Sequence, residues 1–298
     1  MSTKSLANIL PVSVASKLQD YVQLAKLRLT ITVVLSAVLG FLIAAGPSTD
    51  LSGLWALIIG GFLVVASSNG INQIIERDFD KLMVRTNNRP VATNRMSVTE
   101  AAISCTIAGL LGVYILGSFL NQISGLLGLV ALLSYAFLYT PLKRISPVAV
   151  FVGAFPGAIP PLLGWAAATG SIGMGGWAIF AIQFIWQFPH FWSIAWILDE
   201  DYKRAGYRLL PSKVGKDKKT AKLTIWYIAL LIPISITPYL LGITGIISMI
   251  VVVLAGLLFL AQGLKFHKTC TTKEAKRLMF YSIIYNPVVL LAFVLDKI

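Results

Sequence analysis

The sequence predicts an all-α polytopic membrane protein with nine transmembrane helices in a bundle around a central cavity, the N-terminus inside and the C-terminus outside. Composition is the first reason. Of the 298 residues, 57% are hydrophobic and only 12% are charged, about half the charged share of soluble domains. The mean hydropathy of +0.80 points the same way. The spacing of apolar segments and the distribution of basic residues supply the number of helices and their orientation.

Crossing the hydrocarbon core of a bilayer takes about 20 apolar residues in a helix. Segments of this kind lie at 28–46, 54–75, 100–119, 122–140, 148–169, 173–197, 223–242, 244–263 and 278–295. Residues 28–298 are therefore expected to form one nine-helix domain. Residues 1–27 lack the pattern of a signal peptide and are expected to be a cytoplasmic segment. Its apolar residues could form an interfacial helix: Val12, Val14, Leu18, Tyr21, Val22 and Ala25.

The basic residues set the orientation, because short cytoplasmic loops collect Lys and Arg. With the N-terminus inside, 24 of the 25 basic residues fall on the inner side, and only Lys297 lies outside. Adding or removing one helix would scatter them over both sides. The net charge of +13 is then a consequence of topology and gives no indication of a nucleic-acid partner. A basic inner face suits anionic membrane lipid and a diphosphate substrate.

The end of the second predicted helix carries an unusual polar motif containing Asn72, Glu76 and Asp80. At about 100° per residue these three side chains share one side of a helix, within roughly 80°, whereas Asp78 points nearly the opposite way. Two carboxylates one turn apart repel each other unless a cation lies beside them, and oxygen ligands suit Mg²⁺. The alternative is a solvated acidic helix end with salt bridges between successive turns.

A second acidic cluster, with Asp199 and Asp201, follows the sixth predicted helix about 120 residues later. Both clusters follow even-numbered helices, so they lie on the same side and suggest two related halves whose inner ends face each other. Converging carboxylates could hold Mg²⁺ together with a diphosphate. Basic residues that could balance phosphate charge lie near the clusters or in the loop between them: Arg77, Arg85, Arg89, Lys143, Arg144 and Lys203. Lys143 and Arg144 could equally be topology signals.

Two further segments carry chemistry of interest. Residues 153–165 are rich in Gly and Pro, a composition that kinks a membrane helix lining a cavity, although small residues also serve ordinary helix packing. The segment from Trp186 to Trp192 surrounds His190 with aromatic rings. An intramembrane His is more often a hydrogen-bonded core residue than a ligand. The rings could form a wall for an isoprenoid or a planar macrocycle and stabilise a carbocation, or belong to the interfacial aromatic belt.

Together these residues resemble the intramembrane aromatic prenyltransferase superfamily, which has an Asn-x-x-x-Asp-x-x-x-Asp motif after helix 2 and an Asp-rich motif after helix 6. Within it, the protoheme IX farnesyltransferase (heme O synthase) family is the most similar, over about residues 20 to 295. The shared motifs are Glu76-Arg77-Asp78-Phe-Asp80 continuing to Met83, Arg85-Thr86 and Asn88-Arg89-Pro90; Tyr139-Thr140 with Leu142-Lys143-Arg144; the Gly-Ala-Ile-Pro-Pro-Leu-Leu-Gly-Trp run ending at Trp165; Pro189-His190-Phe-Trp192; and Asp201-Tyr-Lys203 with Gly206 and Pro211. Glu76 departs from the usual Asp, but its longer arm still offers two oxygens.

The resemblance implies transfer of a farnesyl group from farnesyl diphosphate to a vinyl group of heme b, with addition of water, giving heme O and diphosphate. It implies that Mg²⁺ is held by catalytic oxygen ligands: Asn72, Glu76, Asp80, Asp199 and Asp201. Substrates would be bound by Arg77, Arg85, Arg89, Tyr139, Lys143, Arg144, His190 and Lys203. His190 could contact heme as an axial ligand or through a propionate.

The resemblance also implies a bacterial plasma (inner) membrane location, an active site facing the cytoplasm and a heme A synthase downstream. A prenyltransferase acting on a quinone precursor is the nearest alternative. A secondary transporter is a more distant one, since transport favours charges near the bilayer midplane, whereas here the charges lie at the inner ends of helices.

Overall fold

The computed structural model describes residues 14–47, 49–212 and 214–298, which are helical almost throughout. Strand pairing in these ranges is limited to one isolated bridge between Thr244 and Lys297. The described ranges form thirteen α-helices: α1 (Val14–Leu24), α2 (Leu27–Ala44), α3 (Leu54–Asp80), α4 (Val98–Phe119), α5 (Gln122–Leu133), α6 (Thr140–Leu142), α7 (Ala149–Thr169), α8 (Gly173–Ile197), α9 (Asp199–Arg204), α10 (Lys218–Ser235), α11 (Thr237–Leu240), α12 (Ile246–Thr269) and α13 (Thr272–Leu295). A π-helical segment, Ser134–Tyr139, joins α5 to α6. The all-α fold class is confirmed.

Eight helical segments of the described chain are long and apolar enough to cross a membrane. They are Leu27–Ala44, Leu51–Asp80, Val98–Phe119, Gln122–Leu142, Ala149–Thr169, Lys218–Leu240, Ile246–Thr269 and Thr272–Leu295. The sequence predicts nine, and the difference is α8. With 25 residues α8 is long enough, but Gln183, Gln187 and His190 lower its hydropathy.

Two helices begin before the apolar segments predicted from the sequence. α10 starts at Lys218 rather than 223, and α13 starts at Thr272 rather than 278. The side chains of Asp217 and Thr271 cap these helices by accepting a hydrogen bond from the backbone N–H three residues later. The predicted starts are wrong there because a capping side chain determines where a helix begins, whereas hydropathy marks only the part in lipid.

α2 and α7 cross in close contact at the centre of the bundle. Gly40 of α2 lies against the Pro161 carbonyl, and Gly164 of α7 lies against the Ala37 carbonyl, so a Cβ at either glycine would overlap the facing oxygen. Small residues let helix backbones approach in this way. Helix packing therefore explains these glycines.

The two larger apolar cores of the described chain both include residues of α2 and α7. One includes Leu57 and Leu116 and involves α2 to α5 with α7. The other includes Trp196 and Phe259 and lies mainly among α8, α10, α12 and α13. The relation between the two halves as repeats remains a prediction.

The short helix α1 is held against α3 on the side where α2 begins. The Gln73 side chain of α3 donates hydrogen bonds to the backbone carbonyls of Gln23 and Leu24, at 3.2 and 2.7 Å. Leu18 and Val22 of α1 are exposed, as expected of an interfacial helix, while Val12 lies outside the described residues. The position of α1 at a membrane interface stays a prediction.

Candidate active site

The C-terminal end of α3 presents three oxygen-bearing side chains on its buried face. Asn72, Glu76 and Asp80 have relative exposures of 1%, 4% and 0%. Asp78, between them in sequence, has a side chain that is 61% exposed and pairs with Arg77 and Lys81 at 3.3 and 3.0 Å. Helical periodicity thus divides one acidic motif into a buried stripe and a surface ion-pair cluster. Arg77, predicted to bind substrate, belongs to the surface cluster.

Three cations from other parts of the chain neutralise this stripe. Arg89 donates to both Asp80 oxygens at 2.8 and 2.7 Å and lies 3.9 Å from Glu76. The Lys143 ammonium forms an ion pair with Glu76. Lys26 Nζ donates to Asn72 Oδ1 at 3.0 Å. Two carboxylates with three cations leave a net positive site, and such a site favours an anionic ligand.

Local structure explains how Lys143 reaches Glu76. The π-helical segment Ser134–Tyr139 changes the helical register just before Thr140. The Thr140 hydroxyl accepts a hydrogen bond from Asn72 Nδ2 at 3.1 Å and donates one to the Tyr135 carbonyl at 2.9 Å. The Lys143 ammonium lies over the Tyr139 ring, 5.0 Å from its centroid. This segment therefore presents one hydroxyl, one ammonium and one aromatic ring to α3.

Lys26 was not among the predicted site residues, because its position before the first span explains it as a topology signal. Its backbone is left-handed, with φ of 48° and ψ of 56°, which is uncommon for a residue other than Gly. Burial, together with Arg89 and Lys143, lowers the pKa of Lys26 well below its usual value. A strained backbone and a desolvated ammonium are features found at functional sites.

The second acidic segment meets the first through Asp201. Its two carboxylate oxygens accept hydrogen bonds from the backbone N–H groups of Val84 and Arg85, each at 3.1 Å. Arg204 pairs with the same carboxylate at 2.9 Å. Asp199 is buried and pairs with Lys203 at 2.8 Å. Asp201 therefore holds the loop that follows α3.

A cavity of about 400 Å³ opens beside Glu76. Its lining includes Phe79, Thr140, Arg144 and Tyr207. The Arg144 guanidinium lies over the Phe79 ring, 4.0 Å from its centroid. The buried Tyr207 phenol lies close to Glu76, and burial followed by the Glu76 charge raises its pKa. The cavity joins an aromatic wall to the charged stripe, and sequence patterns gave no indication of Tyr207.

The other predicted substrate-binding residues lie at different distances from this centre. Arg85 is exposed, and its backbone N–H is what contacts Asp201. The Lys203 side chain is 56% exposed. His190 lies in α8, where its ring stacks on Trp186 and its Nδ1 is 2.8 Å from the Ser282 hydroxyl. His190 is therefore part of a separate cluster between α8 and α13.

The oxygen donors of the stripe fit Mg²⁺ in their chemistry, since two carboxylates and one amide oxygen are hard ligands. Within the described ranges, no group of three His, Cys, Asp or Glu side chains could hold a metal ion on its own. Mg²⁺ typically binds proteins through one or two carboxylates plus phosphate oxygens and water. The residues therefore fit a metal that arrives with a phosphorylated substrate.

Comparison with known proteins identifies the family of the chain. Residues 33–284 match the UbiA prenyltransferase family. A Cytophaga hutchinsonii protein named "Protoheme IX farnesyltransferase" is 47% identical, with 95% of this chain and 99% of that protein covered. A protein of the same name from Christiangramia forsetii is 43% identical, with 95% of each covered.

Solved structures share the fold at lower sequence identity. One described as a digeranylgeranylglyceryl phosphate synthase matches with a TM-score of 0.79 and 22% identity, covering 94% of this chain and 98% of that one. A UbiA homolog from Archaeoglobus fulgidus bound to GPP and Mg²⁺ matches with a TM-score of 0.67 and 18% identity, covering 92% and 99%. The resemblance found in the motifs is confirmed: the chain belongs to the UbiA prenyltransferase family.

Proposed function

We propose that the protein transfers a farnesyl group from farnesyl diphosphate to a vinyl group of heme b, with addition of water, and so makes heme O and diphosphate. The observation that carries the proposal is the buried stripe of Asn72, Glu76 and Asp80 facing Lys26, Arg89 and Lys143 beside an aromatic-walled cavity. Relatives named for this reaction align over nearly the whole chain, which supports the choice of acceptor over a quinone precursor.

Asn72, Glu76 and Asp80 would hold Mg²⁺ from α3, and Asp199 and Asp201 would add oxygens from α9. Bound there, Mg²⁺ supplies Lewis-acid stabilisation of the leaving diphosphate. Three of these carboxylates, Glu76, Asp80 and Asp199, form ion pairs with basic side chains. When substrate binds, the Arg89 and Lys143 side chains would exchange their carboxylate partners for phosphate oxygens, and the carboxylates would bind Mg²⁺. Each buried charge would then remain paired.

The reaction itself is a substitution at the first carbon of the farnesyl chain. The C–O bond breaks, its electron pair leaves with diphosphate, and the terminal carbon of the vinyl group bonds to the allylic cation. Water then adds to the carbon next to the porphyrin ring and releases a proton. Tyr139, Phe79 and Tyr207 can stabilise the allylic cation through their ring faces, and the positive side chains stabilise the developing diphosphate charge.

The proposed topology has nine spans, with α8 as the ninth. The contacts that support nine spans begin at the C-terminal end of α3. Lys143 contacts Glu76, so α4 and α5 leave this side and return. α7 then crosses away, yet Asp201, which follows α8, contacts Val84 and Arg85 on the starting side. These contacts support a crossing back through α8.

The termini are proposed to lie on opposite sides, the N-terminus inside and the C-terminus outside. Lys26, at the start of α2, contacts the candidate site. Lys297 Nζ donates to the carbonyls of Leu42 and Ala45 at the other end of α2, at 2.9 and 2.6 Å. The excess of Lys and Arg on the side of the site supports a cytoplasmic active site in a bacterial inner membrane. Heme O released there would be available to a heme A synthase.

The proposal is tested by incubating the purified protein with heme b, farnesyl diphosphate and Mg²⁺, with and without EDTA. Porphyrin products are identified by mass spectrometry. We expect a metal-dependent product heavier by one farnesyl group and one water. Unchanged heme with folded protein would contradict the proposal, and prenylation of 4-hydroxybenzoate or a naphthoate instead would identify the quinone-precursor alternative.

Lys26 offers a second test, because its ammonium is the site cation that no carboxylate neutralises directly. Lys26→Met is expected to raise KM for farnesyl diphosphate by about tenfold or more, the value of a charge-assisted hydrogen bond. Lys17→Met is the matched control, since Lys17 of α1 pairs with Glu100 at 2.9 Å on the surface. An unchanged KM in Lys26→Met would remove this residue from the diphosphate site.

A further inference from the structure

In the cluster around His190, between α8 and α13, the donor and the acceptor of each hydrogen bond can be assigned. The Ser282 hydroxyl donates its single proton to the Met279 carbonyl, at 2.5 Å. Ser282 Oγ also lies 2.8 Å from His190 Nδ1. A hydroxyl that has given its proton to a carbonyl can only accept from a second partner. His190 must therefore carry its proton on Nδ1.

The orientation of the ring is held as well as its tautomer. The Trp186 indole stacks on the imidazole with a centroid distance of 4.8 Å and an interplanar angle of 16°. Trp186 Nε1 donates to the Ser282 backbone carbonyl at 2.8 Å. Ser282 thus holds the imidazole through its side chain and the stacked indole through its backbone. Two contacts to one residue of α13 hold the ring in a single orientation.

The Nδ1–H tautomer leaves Nε2 as a bare lone pair. In the described part of the chain Nε2 has no hydrogen-bond partner, and the His190 side chain is partly exposed. A bare nitrogen cannot donate a hydrogen bond to a propionate carboxylate. It can coordinate a metal, as neutral imidazole commonly does with its other nitrogen hydrogen-bonded.

We infer that His190 Nε2 is an axial ligand to the iron of the heme substrate, and that Ser282 is the positioning residue that sets its tautomer. The inference rests on the proposed function. It favours an axial contact to the iron over a contact to a propionate, the two possibilities that the sequence left open for His190. The iron would be bound within α8, nine residues or roughly 13 Å of helix from Asp199.

Binding titrations distinguish an iron contact from a propionate contact. Purified protein in nanodiscs is titrated with heme b and, separately, with metal-free protoporphyrin IX, which keeps both propionates. His190→Ala is expected to weaken heme b binding, to remove the His-ligated absorption and electron paramagnetic resonance signals, and to leave protoporphyrin IX binding unchanged. Added imidazole should restore the iron signals. Equal weakening for both porphyrins would overturn the inference in favour of a propionate contact.

Ser282→Ala tests the positioning role. Loss of an outer hydrogen bond to a metal-bound His typically costs about 10- to 100-fold in metal affinity, so heme b should bind about tenfold or more weakly, with a shifted iron signal and unchanged protoporphyrin IX binding. Ser282→Thr keeps the hydroxyl and should retain both. Ser235→Ala, which removes a buried hydroxyl bonded to Tyr285, is the matched control.

The two proposals fail separately. If wild-type protein makes heme O but His190→Ala keeps the wild-type iron signals, the axial-ligand inference is wrong and the proposed function stands. If wild-type protein neither binds nor converts heme b, the proposed function is wrong and the inference falls with it. If Ser282→Ala matches wild type in every spectrum, Ser282 has no positioning role.

Discussion

Replacing Asp80 with Asn is expected to lower kcat for farnesyl transfer by about a hundredfold or more, the scale of losing one preorganised electrostatic group. Asp80 is completely buried and receives both Arg89 hydrogen bonds. The amide keeps the shape of the side chain but removes the charge that a metal ion and the guanidinium require. The measurement is the initial rate of heme O formation at saturating heme b and farnesyl diphosphate.

Asp78→Asn is the control for this experiment, because it makes the same chemical change two residues away on the exposed face of α3. Its ion pairs with Arg77 and Lys81 are solvent-screened surface contacts that contribute little to stability, so both activity and stability should stay near wild type. Thermal unfolding in detergent separates loss of fold from loss of function in Asp80→Asn. A folded Asp80→Asn with wild-type kcat would refute the metal and diphosphate site on α3.

Gly164→Ala is expected to produce the largest loss of stability. The added methyl would overlap the Ala37 carbonyl of α2, and a backbone oxygen in a helix cannot move aside as a flexible side chain can. Overpacking of this kind lowers the free energy of unfolding by about 3 kcal/mol. Here it would also separate α2 from α7, two helices that contribute to both apolar cores. The measurement is the midpoint of thermal unfolding in a detergent of fixed composition.

Gly46→Ala serves as the comparison, since a Cβ at Gly46 meets nothing within 4 Å. It should unfold at the wild-type temperature. If Gly164→Ala also unfolds at that temperature, the close α2–α7 approach does not exist in the protein. A lowered midpoint for both variants would indicate a general sensitivity to glycine replacement and would remove the argument from backbone contact.

Features that depend on neighbouring residues were accessible from the sequence. The shared face of Asn72, Glu76 and Asp80 follows from helical periodicity. The eight apolar spans follow from the thickness of a bilayer. α8, which the sequence predicts as a further span, carries polar residues whose partners come from elsewhere in the chain, such as the Ala154 carbonyl that accepts from Gln187 at 2.8 Å.

Features that depend on distant segments were not accessible in the same way. Lys26 meets Asn72 across 46 positions, His190 meets Ser282 across 92, and Asp201 meets Val84 across 117. Each of these residues has an ordinary local explanation: a topology signal, a core histidine, an acidic helix end. Through packing, Lys26 becomes a cation of the candidate site, His190 is held in one orientation, and Asp201 holds the loop after α3.

Family, fold class and the buried acidic stripe can thus be derived from the chain as printed, because periodicity, hydropathy and motif spacing are properties of short segments. The contacts of Lys26 with Asn72, of Lys143 with Glu76 and of His190 with Ser282 are decided by packing, because each joins segments that are far apart in sequence. Such contacts depend on how whole helices fit together, and no short segment contains that information.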